Sequence, residues 1–231
     1  KAQLHAFYAD LPSKDLIYGL FSNNKWTFSA IDGDGESVQD YREEIRRKTA
    51  ADVSVSNACA VTTSGLQVFY RDETQGILLG ASKTETGWVY EIVDGDAKKG
   101  GRTTGDVAYH LSAAALGKTI YLIYDSVLNF NSSKSPIAGE VRLATRNSLY
   151  PEDWKYQTLD GPDNNIAVAG YATALNVTNK SVAAAWLSAN GNSLPSADQV
   201  RFTEITDVNI PSAITPDFYG SPNGPLALDS K

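Results

Sequence analysis

Residues 57–94 contain four short runs of strand-forming residues, and the breaks between these runs constrain the fold more than any other feature of the chain. The runs lie at residues 58–63, 66–71, 76–82 and 88–93 and are rich in Val, Ile, Tyr and Phe, which favour β-strands. Each break consists of residues that favour tight turns, such as Gly, Asp, Ser and Thr. Four antiparallel strands of this size form one small sheet, which cannot bury both of its faces alone. The stretch therefore predicts an all-β protein that contains further copies of the same sheet.

The rest of the chain repeats this pattern. The second strands of the copies begin near positions 4, 66, 119 and 182, which are 62, 53 and 63 residues apart. A period of about 50–65 residues with four strands per repeat is typical of a β-propeller blade. The first copy lacks its first strand, and the C-terminal segment that begins PLALDS matches that strand in pattern. Pairing the two ends of the chain would close a ring and remove exposed sheet edges.

We therefore predict that residues 1–231 form a single all-β domain, a β-propeller of four four-stranded blades closed by a C-terminal strand. The predicted blades are residues 224–230 together with 3–34, then 57–96, 106–163 and 168–214. The fourth strand of the last blade is weakly marked and is expected within residues 207–214.

Two insertions interrupt the repeats. Residues 36–48 predict a helix, because Val38, Tyr41 and Ile45 fall on one face at helical spacing. The other face is charged and suits either solvent or a protein partner. Residues 128–138 are polar and predict a long surface loop.

Composition limits the classes of partner. The formal charge is −7, from 20 Lys and Arg against 27 Asp and Glu, which argues against a nucleic-acid-binding protein. No apolar run approaches the roughly 18 residues of a membrane span, so no membrane insertion is expected. The one cysteine, Cys59, lies in an apolar strand and predicts a small buried side chain.

Three glycosylation sequons favour an extracellular location. They begin at Asn131, Asn176 and Asn179, each in a polar segment. The chain contains no methionine, so Lys1 is expected to follow a processed or missing segment.

Three tryptophans recur at one position of the repeat and suggest a function. Trp26, Trp88 and Trp154 each come directly before a predicted fourth strand. Such rings either wedge between neighbouring blades or stack on the apolar face of a sugar. In the second case the repeat would present several shallow sugar sites, which suits a multivalent lectin. The flanking groups of these sites would be Tyr18, His5, Gln67 and Tyr121.

The order of strands, turns and tryptophans resembles the repeats of the fungal fucose-specific lectin family of β-propellers. The resemblance covers most of the chain and implies a propeller that binds glycans or glycoconjugates. In that family an Arg on the second strand and a Glu on the third strand clamp fucose, but here His5, Gln67, Tyr121 and Ala183 occupy the Arg position. The resemblance therefore implies the fold and sugar binding without implying fucose. A four-bladed ring also resembles hemopexin-like domains, although one cysteine cannot form the disulfide common there.

The other functional readings have weaker support. Neither histidine, His5 or His110, lies near a nucleophile motif or a second histidine at metal-ligand spacing, so we predict no catalytic residues and no cofactor. The Asp-Gly turns that begin at Asp32, Asp94 and Asp160 could ligate calcium, but Asp-Gly is also a common way to leave a strand, and no metal site is predicted. A glycoside-acting enzyme and a protein-interaction scaffold stay open as alternatives, as does homo-oligomerisation.

Overall fold

The computed structural model describes residues 3–35, 48–148, 153–162, 168–178, 181–189 and 199–205. Within these ranges the chain forms fourteen β-strands and no α-helix, so the all-β prediction is confirmed. The predicted strands within residues 207–214 and at 224–230 lie outside the described residues, and so does the predicted helix at 36–48 except for its last residue.

The strands follow one another as antiparallel hairpins in four groups. The first sheet consists of β1 (Leu4–Asp10), β2 (Asp15–Ser22) and β3 (Lys25–Asp32). The second sheet consists of β4 (Asn57–Thr62), β5 (Gly65–Asp72), β6 (Ile77–Thr84) and β7 (Gly87–Asp94). The third meander consists of β8 (Asp106–Leu116), β9 (Thr119–Phe130), β10 (Pro136–Asn147) and β11 (Lys155–Asp160). The fourth meander consists of β12 (Val168–Val177), β13 (Val182–Ala189) and β14 (Gln199–Ile205).

The third and fourth meanders belong to one seven-stranded sheet. Its order is β14-β13-β12-β10-β9-β8, with β11 paired to β10. A single parallel bridge between Gly139 and Val168 joins the two meanders. Among the described strands none of the sheets closes on itself, and the repeated unit is the antiparallel meander that the sequence predicts.

The hydrophobic core lies between the sheets and has three parts. The first cluster joins Leu16 and Ile31 of the first sheet to Val68 and Tyr70 of the second. The second cluster lies between the second sheet and the third meander, and the third cluster lies between the third and fourth meanders. Each sheet therefore becomes stable by packing against its neighbour along the chain, because a small sheet buries little apolar surface alone.

A buried aspartate at the end of its last strand connects each of the first three meanders to the next one. Asp32, Asp94 and Asp160 end β3, β7 and β11, and each side chain is at most 1% exposed. Each carboxylate accepts a hydrogen bond from an aromatic side chain of the following meander, which we call a clasp. The clasps are Tyr70 Oη to Asp32 at 2.7 Å, Tyr124 Oη to Asp94 at 2.6 Å and Trp186 Nε1 to Asp160 at 2.9 Å.

The clasp aspartates have further partners. Each accepts the backbone N–H of the glycine that follows it. Asp94 and Asp160 also pair with Arg142 at 2.8 Å and with Arg201 at 2.7 Å. Within the described part of the chain, no group of three or more His, Cys, Asp or Glu side chains is placed to hold a metal ion. Asp32, Asp94 and Asp160 thus act as structural acceptors, because buried carboxylates need such partners.

Two expectations from the sequence are wrong. The loop predicted at residues 128–138 is shorter and covers residues 131–135, because β9 continues to Phe130 and β10 begins at Pro136. Asn131 closes this hairpin, since its side-chain oxygen accepts the backbone N–H of Ser133 and of Ser135. Cys59 is exposed although it lies in an apolar strand, since β4 alternates between exposed and buried residues and the thiol falls on the exposed side.

Candidate functional site

The three predicted tryptophans occupy one structural position, as the sequence indicates. Trp26 pairs with Phe21 across its hairpin, and Trp88 pairs with Lys83. Trp154 directly precedes Lys155, which pairs with Thr145, so Trp154 lies opposite the next residue of β10, Arg146. Trp88 and Trp154 contact the preceding sheet, whereas the ring contacts of Trp26 lie within its own sheet.

The cleft between the first and second sheets, which we call the first cleft, brings together three of the predicted residues. His5 Nδ1 and Tyr18 Oη form a hydrogen bond of 2.7 Å, and the two rings are stacked with centroids 5.8 Å apart. The ring of Trp88 meets Tyr18 edge to face at a centroid distance of 5.3 Å. Burial raises the pKa of Tyr18, so its hydroxyl stays protonated near neutral pH.

Lys83 completes the first cleft. Its ammonium group lies 4.9 Å from the ring centroid of Tyr18 and 5.3 Å from that of Trp88. Such cation–π contacts place a positive charge beside aromatic faces. Lys83 and Trp88 are half-buried, and the structure records no ion pair between Lys83 and a described carboxylate. The first cleft therefore combines an imidazole, a phenol, an indole and an ammonium group in one place.

The second cleft, between the second sheet and the third meander, is filled by an ionic network. Arg146 donates to Glu91 at 3.0 Å and 2.8 Å, and it also donates to Gln67. The indole of Trp154 donates to the same Glu91 carboxylate at 3.0 Å. Trp154 is 9% exposed, and its ring lies 4.6 Å from the guanidinium group of Arg146. The predicted residues Gln67 and Trp154 therefore meet here in a closed, buried arrangement.

Glycine at one position explains why the two clefts differ. Gly80 occupies the position of Tyr18 in the repeat, because it pairs with Phe69 as Tyr18 pairs with Phe7. A Cβ atom on Gly80 would lie 3.0 Å from a carboxylate oxygen of Glu91. The absent side chain therefore leaves the space that Glu91 occupies.

The two remaining predicted residues lie elsewhere. Tyr121 is half-buried and packs against the apolar cluster between the third and fourth meanders, together with Leu175 and Val177. Trp26 is 37% exposed and is stacked on Phe28 at a centroid distance of 5.8 Å. The predicted set is thus divided among the two clefts, one apolar cluster and one open surface.

The open surface belongs to the first sheet and consists of Leu4, Tyr8, Trp26 and Phe28, which we call the open face. The exposed fractions of these side chains are 58%, 43%, 37% and 60%. Tyr8 occupies the position of the clasp residue Tyr70, because it pairs with Ile17 as Tyr70 pairs with Leu79. In the second sheet this position is fully buried against the preceding sheet. The open face is therefore equivalent to a surface that packs against another sheet elsewhere in the chain. Among the described residues, no sheet covers it.

Sequence reasoning missed Lys83, Glu91 and Arg146. A usable signal existed, since Lys83 and Arg146 lie at the same position of the third strand, opposite the recurring tryptophan. Aligning the third strands of the repeats would have shown a cation at that position in two copies out of three. Glu91 carries no such signal, because its role depends on the space left by Gly80.

Comparisons with known proteins bear on the fold alone. No protein-family model matches the chain, and no curated protein matches it. Among solved structures the chain is similar to a puromycin hydrolase variant crystallised with PGG, with a TM-score of 0.51 and 9% sequence identity over 92% of this chain. A second structure of puromycin hydrolase gives a TM-score of 0.48 at 9% identity. The matched region is 30% of the hydrolase chain.

The described residues contain no helix long and apolar enough to cross a membrane.

Proposed function

We propose that the protein is a carbohydrate-binding β-propeller and that the first cleft is its glycan site. The observation that carries the proposal is the grouping of His5, Tyr18, Lys83 and Trp88. Sugars present an apolar face of C–H groups and an edge of hydroxyls, which suit aromatic rings and mixed hydrogen-bonding groups respectively. Glycans or glycoconjugates in an extracellular setting are therefore the proposed partners.

The number of sites is proposed to be smaller than the number of tryptophans. In the second cleft the Arg146–Glu91 pair and Gln67 already satisfy one another, and Trp154 is buried. A sugar would have to displace these partners, and breaking a buried ion pair is costly. The first cleft keeps its ammonium group over aromatic rings, where an incoming hydroxyl oxygen can accept from it.

The same proposal includes a ring of four blades closed by a C-terminal strand. The open face supports it, because equivalent residues in the second sheet are covered by a neighbouring sheet. Residues 206–231 follow β14 and include both predicted strands that the ring still needs. On this proposal these residues cover Tyr8, Trp26 and Phe28.

A glycan array with the purified chain tests the proposed function. We expect saturable binding to a defined set of glycans that persists in EDTA, since the first cleft contains no predicted metal ligand. Lys83→Gln keeps a flexible polar side chain and removes the charge, so we expect affinity to fall about tenfold, which corresponds to roughly 1.4 kcal/mol. Lys25→Gln is the matched control, because Lys25 is an exposed lysine beside the equivalent tryptophan Trp26.

Two outcomes would count against the proposal. An array without binding would remove the support for a lectin, and equal affinity in Lys83→Gln and the parent chain would move the site away from the first cleft.

A protein-interaction role is the second candidate, and the open face favours it if residues 206–231 leave that surface uncovered. In that case Phe28→Ser would abolish partner binding without changing glycan binding.

A further inference from the structure

Strands β8 and β12 carry the same irregularity at the same place in the repeat. The pairing of β8 with β9 shifts between Val107 and Leu111, and the pairing of β12 with β13 shifts between Ala169 and Thr173. The first extra residue has a left-handed backbone in both strands, with φ of 65° at Ala108 and 98° at Gly170. Each bulge then presents a tyrosine at the next position, Tyr109 and Tyr171.

The bulge in β8 holds Ala108 in an unfavourable backbone conformation. A non-glycine residue with positive φ is uncommon, and such strain persists where the surroundings impose it, often at functional sites. Bulges are also concentrated beside sites where they redirect a side chain. Ala108 is fully buried, and the strained backbone directs the following residues, Tyr109 and His110, out of the regular alternation of the strand.

A cavity of about 220 Å³ lies beside the two bulges. Its apolar walls include Val127, Phe130, Pro136 and Val168, in addition to the two bulge tyrosines. A volume of this size corresponds to about seven water molecules at roughly 30 Å³ each. It is smaller than the roughly 300–1,000 Å³ of sites for drug-sized ligands. The cavity therefore fits a ligand with a single ring.

Polar residues also line the cavity. Asp125 accepts the backbone N–H of His110 at 2.8 Å, and its second oxygen lies 3.5 Å from His110 Nδ1. With Nδ1 facing Asp125, Nε2 is the nitrogen of His110 left for a ligand. Tyr171 and Lys134 also line the cavity and contribute a hydroxyl and an ammonium group. Burial raises the pKa of Tyr171, so its hydroxyl is present as a donor near neutral pH.

The neighbouring tyrosine has a different role. Tyr109 donates to Asp106 at 2.8 Å, and the guanidinium group of Arg71 lies 3.7 Å from its ring centroid. Arg71 also pairs with Asp106 at 2.7 Å. Tyr109 is therefore a fixed wall of the cavity, because its hydroxyl and one ring face are already engaged.

We propose that this cavity, which we call the bulge pocket, binds one neutral sugar ring. One carboxylate and one ammonium group line it, so the opposite charges of the lining balance, which favours a neutral ligand. Sugar hydroxyls both donate and accept, which matches Asp125 as acceptor, Lys134 as donor and Tyr171 as either. The choice of a sugar rests on the proposed function, whereas the position and the ligand size follow from the pocket. The bulge pocket is separate from the first cleft and adds a second site.

The two histidines of the chain allow each site to be observed separately. His5 lies in the first cleft and His110 in the bulge pocket, and the chain contains no other histidine. We would record the imidazole resonances by NMR while adding the methyl glycosides of glucose, galactose, mannose, L-fucose and N-acetylglucosamine. His5→Asn and His110→Asn assign the two sets of signals. We expect at least one glycoside to shift the His110 signals in a saturable way.

Variants of the pocket test which groups hold the ligand. Tyr171→Phe and Lys134→Gln should each raise the dissociation constant of the glycoside, as measured from the His110 signals, by about fivefold to tenfold. Lys118→Gln should leave it unchanged and is the matched control, because Lys118 is also an exposed lysine beside a hairpin turn.

The outcomes separate the two proposals. Binding on the array with shifts of His5 alone would overturn the bulge pocket and leave the proposed function intact. Binding on the array with neither histidine shifted would overturn both assigned sites. Shifts of His110 caused by benzoate and by none of the glycosides would show that the pocket takes an anion and would overturn the neutral-sugar assignment.

Discussion

At the scale of single residues, the clasps show one contact made by two types of side chain. Tyr70 and Tyr124 donate through a hydroxyl, and Trp186 donates through its indole N–H to an equally buried aspartate. From the sequence, Trp186 stands apart as the tryptophan in a second strand. The structure explains its position, because a large ring with one N–H donor fills the space and satisfies the carboxylate.

Buried carboxylates also predict how stability depends on pH. Asp72 is fully buried, and burial raises its pKa to about 6. Its Oδ1 atom accepts the backbone N–H groups of Thr74 and Gln75, whereas its Oδ2 atom has no hydrogen-bond partner among the described residues. The folded state therefore holds a proton that the unfolded state, with a pKa near 3.9, has already released.

Because the folded state binds more protons between about pH 4 and pH 6, the contribution of Asp72 to stability falls as the pH rises through that window. We expect Asp72→Asn, which keeps the accepting oxygen, to be more stable than the parent at pH 7 by up to about 2–3 kcal/mol. At pH 4 the difference should vanish. Urea unfolding at both pH values measures this.

Asp10→Asn is the control for this prediction, because Asp10 holds the equivalent position in β1 and is only half-buried. A parent and an Asp72→Asn variant with parallel pH profiles would show that Asp72 is not the source of the dependence.

At the scale of strands, the sequence predicts elements better than irregularities. Turn residues such as Asn23 and Asn24, both with positive φ, mark a hairpin directly, so the boundaries of the hairpins could be predicted. The bulges in β8 and β12 could not, because an inserted residue leaves the composition of a strand unchanged. The long β9–β10 hairpin was missed for a related reason, since its polar residues suit an exposed strand as well as a loop.

The bulge in β12 depends on a glycine, which gives a prediction for that strand. Gly170 has φ of 98°, and a Cβ atom there would lie 2.7 Å from the Cβ atom of Asp125. Gly170→Ala therefore combines backbone strain with a clash, and we expect a loss of stability of about 2–4 kcal/mol. Thermal or urea unfolding checks the value.

Gly100→Ala is the matched control, because a Cβ atom on Gly100 meets no atom within 4 Å. A Gly170→Ala variant as stable as the control would contradict the close approach of β12 to Asp125.

At the scale of the whole molecule, the repeated antiparallel meander could be predicted from the chain, whereas the joining of the last two meanders into one sheet could not, and the functional residues could be predicted only in part. Trp26, Trp88 and Trp154 do share one position, as the pattern indicates. The exposure of each ring could not be predicted, because it depends on which side chains of a preceding sheet pack against that ring. Trp154 is buried and donates a hydrogen bond to Glu91 of the preceding sheet, while Trp26 faces no described sheet.

Ring closure gives a prediction for the molecule as a whole. Tyr124→Phe removes a clasp hydroxyl from buried Asp94 and should cost about 1–3 kcal/mol. If residues 206–231 cover the open face, Tyr8→Phe should cost a similar amount. A chain that ends at Ile205 should expose the open face and self-associate, which analytical ultracentrifugation and dye binding would detect.

Equal stability of Tyr8→Phe and the parent, together with a monomeric shortened chain, would contradict closure.

The clasps also have a consequence for the order of assembly. They join residues 38, 30 and 26 positions apart, so each clasp ties a meander to the one made just before it. Such a chain can assemble from its N-terminus, one repeat at a time, as linear repeat proteins do. If the ring closes last, the aromatic surface of the first sheet stays exposed while about 200 further residues are synthesised. At about 5–20 residues per second this takes roughly 10–40 s. Over that interval the nascent chain carries an exposed surface that chaperones would recognise.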